Sequence, residues 1–134
     1  MFAKMNLALL VLGASTLSFN SQAGEAEDAF VGELADCAAY YHIASDAISA
    51  MDAPQMAAVV DRLTLSGEQA TQLAKQYQTE EQVSAAIVAA AKKHKSSMPN
   101  AKSLGPLMGK YKETCKSILA QPEKRLDYWT MVTM

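Results

Sequence analysis

The chain lacks every compact catalytic signature that can be searched for directly. It has no HExxH zinc helix, GxSxG elbow, glycine-rich phosphate loop, SxxK pair or CxxCH haem attachment site. Those absences remove the common short-motif routes to an enzyme and put an enzymatic reading last, since no nucleophile stands beside a recognisable base. Strand signals are also scarce, because the β-branched residues are few and do not alternate with polar ones. After the first two dozen residues no run approaches the roughly 20 apolar residues needed to span a bilayer. Neither an internal repeat nor a low-complexity tract is visible, and cysteine occurs only twice, with no CxxC spacing.

What is present begins with MFAKMN, continues through LALLVLGASTLSF, and turns polar at NSQA before GEAEDAF. A short cationic segment, an apolar stretch and small residues at Ser21 and Ala23 form the order of a cleavable export leader. Cleavage after Ala23 is expected to leave a single helical domain over residues 24–134, exported to the periplasm or fully secreted. In such an oxidising compartment the two cysteines, Cys37 and Cys115, can pair and persist. Closing a loop of about 80 residues is worth about 4.5 kcal/mol on the chain-entropy model. Charge divides unevenly: residues 24–81 carry eleven acids and two bases, residues 82–134 three acids and nine bases. Two halves of opposite sign suit segments that fold against each other, or a basic surface offered to a partner. Nucleic acid is a poor partner for an exported chain that is net acidic.

Helical periodicity accounts for nearly all of residues 24–134. Phe30, Leu34, Cys37, Tyr41, Ala44, Ile48 and Met51 recur at alternating spacings of four and three, one stripe of a first helix. That helix is expected to stop near Met51, with Asp52 as a cap and Pro54 in the first turn of the next. Met56, Val59, Leu63, Ser66, Ala70, Leu73 and Tyr77 form a second stripe, which Gly67 interrupts either to bend the helix or to admit a neighbour. Thr79 and Gln82 have capping-box spacing ahead of a third stripe, Val83, Ile87, Ala90 and His94. SSMPNAKSLG reads as the longest loop, followed by Leu104, Met108, Tyr111, Cys115 and Ile118. Gln121 and Pro122 break that pattern before a short final helix, whose Leu126 and Trp129 can cover one end. The expectation is therefore all-α: an antiparallel four-helix bundle with a short additional C-terminal helix, stapled by one disulfide between the first and fourth helices.

Functional candidates are few. Cys37 lies on a core stripe, where a thiol is poorly nucleophilic, so it is read as a staple to Cys115 and no catalytic residue is assigned. His42 and Asp46 share a helix face but supply two metal ligands at most, fewer than zinc takes from protein. His94, inside KKHK, is read as a cap or rim residue. No metal or cofactor is assigned.

Tyr41, Tyr77 and Tyr111 fall on core stripes and, with Met108, could line a small cavity. Tyr40 is expected to point elsewhere. Lys92, Lys93 and Lys95, with Tyr128 and Trp129 in the terminal segment, are the candidate partner-binding surface. Lys112 and Lys116 are expected to face Glu33 and Asp36 across the disulfide. Together these features favour a small exported helical module that binds a protein or envelope partner without catalysis. The alternative is a periplasmic carrier holding a small ligand or copper among Met, Tyr and His side chains.

Overall fold

A computed structural model describes residues 22–134, so the leader read over residues 1–23 lies outside the described residues except for its last two. The described chain consists of five α-helices and one 3-10 turn: α1 (Gln22–Ser49), the 3-10 segment Pro54–Met56, α2 (Ala57–Ala74), α3 (Glu80–Ser97), α4 (Gly105–Ala120) and α5 (Pro122–Val132). No strand occurs among the described residues, and none of their helices is long and apolar enough to cross a membrane.

The helix boundaries follow local chemistry. Thr79 Oγ1 accepts from the Gln82 amide at 3.2 Å while the Thr79 amide donates to Gln82 Oε1 at 3.1 Å, completing the expected capping box of α3. Proline opens the 3-10 segment, α4 and α5, where its missing N–H costs nothing. In the loop between α3 and α4, Asn100 Oδ1 accepts from the Lys102 amide at 3.0 Å, turning the chain after Pro99. One boundary differs from the sequence reading. The first helix ends at Ser49, and Asp52 caps nothing but takes a left-handed conformation (φ 52°) that turns the chain into Pro54. Aspartate tolerates that region better than most residues.

The organising element is α1. The other four helices all pack on it, α2 most extensively. Its predicted stripe is buried from Phe30 to Ile48, with only Met51 exposed, but burial extends far beyond one stripe. Ala26, Val31, Ala35, Ala38, Ala39, Tyr40, Ile43, Ser45 and Ala47 are buried as well. A helix with neighbours around most of its circumference needs small residues where they come close, which explains the alanine-rich DCAAYY stretch. On the α3 side, Ala35 of α1 and Ala90 of α3 are both buried, and with Gly32, Ala86 and Ala89 they line a hollow between the two helices. On the α2 side, Gly67 lies against Tyr41 and His42, resolving its role as close approach. The Ser45 and Thr64 hydroxyls pair at 3.1 Å across the same interface. On the α4 side the Cys37–Cys115 disulfide closes a separation of 78 residues with the two Cα atoms 5.5 Å apart.

The glycines give a direct check on this packing. A Cβ at Gly67 would sit 3.2 Å from His42 Cε1 and 3.3 Å from Tyr41 Cβ, whereas Gly109 in α4 is exposed with nothing within 4 Å. Gly109→Ala should raise stability by about 1 kcal/mol through helix propensity alone. Gly67→Val should lower it by about 2 kcal/mol through overpacking, despite its better propensity. Denaturant unfolding of the oxidised protein measures both, and a stabilising Gly67→Val would refute the close α1–α2 contact.

Candidate functional site

The tyrosines of α1 and α4 resolve first into core. Tyr40, expected to point away, is among the largest fully buried side chains. It lies 5.0 Å from the Tyr41 ring and stacks on Tyr111 at 6.1 Å, and Tyr111 in turn meets the His94 imidazole at 4.6 Å. Periodicity misplaced Tyr40 because a one-sided stripe presumes a broad solvated face, whereas between Phe30 and Ile48 only Gly32, His42 and Asp46 of α1 are exposed. Burial raises the Tyr40 phenol above its ordinary pKa, helped by the neighbouring Tyr41 and Glu113 charges. Burial also raises Tyr41, against a smaller opposing effect from its hydrogen bond with Ser66.

Tyr77, which the sequence grouped with Tyr41 and Tyr111, packs edge-on against Phe30 at 5.6 Å and belongs to a separate contact. The structure thus joins Tyr41 and Tyr111 through Tyr40 and leaves Tyr77 out. Met108 is half-buried and packs against the core. These side chains fill space between helices.

His94 is also corrected. It is 2 % exposed, and its Nε2–H donates to the Asp36 backbone carbonyl at 2.9 Å. A carbonyl only accepts, so Nε2 carries the proton. The lysines flanking His94 drew the sequence reading toward solvent, yet its stripe position after Val83, Ile87 and Ala90 already placed it inward. His42 is exposed, as expected. Among the described residues no group of three or more His, Cys, Asp or Glu is arranged to hold a metal ion.

The acids of α1 choose partners other than those expected. Asp36 Oδ1 accepts from Lys93 Nζ of α3 at 2.8 Å, a bond that raises the lysine pKa. Glu33 receives the guanidinium of Arg125 from α5 through both carboxylate oxygens and the indole N–H of Trp129 at 2.8 Å. The same carboxylate raises the Arg125 pKa. Lys112 and Lys116 remain exposed and take no part in these pairs. The reason is rotational. Asp36 is one step, about 100°, from Cys37, so it faces α3, and Glu33, a turn earlier, faces α5. A disulfide brings helices together without aligning the neighbours of its cysteines.

Of the proposed partner-binding residues, Lys93 is therefore held by Asp36, and Trp129 is half-buried against Glu33. Tyr128 is exposed beneath Arg125, whose guanidinium carbon lies 4.2 Å from the ring centroid. Lys92 and Lys95 are exposed one turn apart on α3. Lys95 and Lys102 line an open cleft of about 430 Å³ floored by Ile43, Ala47, Ala50 and Met98, with Asp46 also on its wall. Lys93 and Lys110 line a second hollow of about 220 Å³ beside His94 and Tyr111. The solvated lysines thus gather around the C-terminal half of α3. Sequence reasoning missed the cleft beneath Lys102, since the loop between α3 and α4 carries no periodicity from which its path over α1 could be read.

Comparison of this chain with protein-family models, with curated proteins and with solved structures finds no match.

The C-terminal helix is docked through one carboxylate, which makes that contact testable. Glu33→Ala should cost about 2 kcal/mol, the scale of charge-assisted hydrogen bonds at a partly buried group. It should also red-shift the emission of Trp129, the single tryptophan. Unchanged emission and stability would show that α5 is held without Glu33.

Proposed function

We propose that the chain is a small exported helical module, an antiparallel four-helix bundle with an added C-terminal helix, that binds an anionic protein or envelope partner without catalysis. The observation that carries this reading is the distribution of lysines after their pairing is accounted for. Lys93 is neutralised by Asp36. Lys92, Lys95, Lys102 and Lys110 are exposed and form no ion pair among the described residues; the same holds for Lys112, Lys116 and Lys124 of α4 and α5, but Lys95 and Lys102 are the pair that share a cleft. Unpaired like charges concentrated on one region cost the folded state a little through repulsion and increase the rate of encounter with an oppositely charged surface. The disulfide-stapled frame accords with life in an oxidising compartment.

A second reading, a carrier of a small ligand, draws support from the cleft beneath Lys95 and Lys102. The copper form of that reading draws none from the thioethers: Met56, Met98 and Met108 pack against the core, while Met51, Met131 and Met134 are exposed. The tyrosine cluster likewise offers filled core where the carrier reading placed a cavity.

Charge reversal tests the first reading without touching the fold. Lys92→Glu combined with Lys95→Glu and Lys102→Glu should lower capture of cross-linked envelope components by at least about tenfold and leave the melting temperature nearly unchanged. Lys112→Glu with Lys116→Glu serves as the control and should leave capture intact. Lys93 is spared because its replacement would break the pair with Asp36. Equal capture by the triple variant and the control would remove this surface from consideration.

A further inference from the structure

The cleft between α1 and the loop after α3 has a chemistry of its own. Its floor is hydrocarbon: Ile43 and Ala47 from one face of α1, Ala50 just past its end, and Met98 and Ala101 from the segment that crosses over it. Alanine at positions 47 and 50 leaves space that the side chains around it do not fill. Two ammonium groups, Lys95 and Lys102, stand on the wall with the Asp46 carboxylate, so one positive charge is left over. At about 430 Å³ the space lies within the roughly 300–1,000 Å³ typical of small-molecule pockets.

The geometry points to a binding site for an aliphatic monocarboxylate, with the alkyl chain laid on Ile43, Ala47, Ala50 and Met98 and the carboxylate between Lys95 and Lys102. Charge complementarity selects this occupant. An alkyl ammonium would add to the surplus positive charge, and a neutral alkane would leave that surplus without a counter-ion. Transfer of the chain from water drives binding, and the two lysines set polarity and orientation. This inference rests on the small-ligand reading; Lys95 and Lys102 are shared with the proposed partner surface, whereas Lys92 belongs to that surface alone.

The test uses the oxidised protein as exported and decanoate below its micelle-forming concentration, followed by the Met98 methyl resonance and by calorimetry. Saturable binding at one site is expected, weakening by up to about fourfold for each methylene removed on going to octanoate. Lys95→Gln with Lys102→Gln should weaken it roughly tenfold, as expected for two partly solvated ion pairs. Ala101→Trp, at an exposed position that can fill the cleft, should abolish it while sparing envelope capture. Lys92→Glu should impair capture alone, which separates failure of this inference from failure of the partner reading. Equal affinity for decyltrimethylammonium would overturn the site, as would binding indifferent to Ala101→Trp. Association with phosphatidylglycerol vesicles without binding of monomeric decanoate would overturn it too, in favour of a lipid surface.

Discussion

The rest of the structure depends on the burial of one helix by four neighbours. Nearly every position of α1 between Phe30 and Ile48 is occupied by a side chain that a neighbour covers, and no single partner could do that. Such a helix cannot rely on hydrophobicity to tell its neighbours apart, because apolar contact is non-directional. The polar groups along α1 supply the distinction. Asp28 accepts from Gln78 beyond the end of α2, Glu33 holds α5, Asp36 holds α3, Ser45 meets Thr64 of α2, and Cys37 is bonded to α4. Each outer helix thus has a named contact on the shared one.

That arrangement explains why the stretch of most apparent chemical interest is structural. The cysteine, the tyrosine pair and the buried histidine all lie where helices converge, and each spends its reactive group on the fold. Cys37 is oxidised, His94 is bonded to the α1 backbone, and the phenols of Tyr40 and Tyr41 are held neutral by burial. What remains available to other molecules lies outside the convergence: the lysines around the end of α3, and the cleft left where small residues near the end of α1 meet the crossing loop.

The parts of the fold set by nearby residues were legible in the sequence. The four stripes, the Thr79–Gln82 box, the prolines at helix starts and the pairing of Cys37 with Cys115 all follow from short-range spacing or from a count of two. What depends on the azimuth of one helix about another was not legible. Tyr40 was expected to point away from Tyr41 and the core stripe because period analysis assigns one buried face to every helix. Glu33 and Asp36 were given the lysines nearest the disulfide in sequence, while their true partners, Arg125 and Lys93, lie 92 and 57 residues away. Of the candidate surface, Lys92 and Lys95 were found by composition, but the sequestration of Lys93 and the cleft beneath Lys102 required the packed chain.

Native-state hydrogen exchange followed residue by residue on the oxidised protein tests the central position of α1 most directly. If four helices jointly cover it, its amides from Phe30 to Ile48 should exchange only through global unfolding, with opening free energies equal to the whole protein's stability. The amides of α3 and α5 should open earlier and at lower cost. Exchange of the α1 amides through a cheaper partial opening, while α2 or α3 stays protected, would contradict the central role assigned to α1.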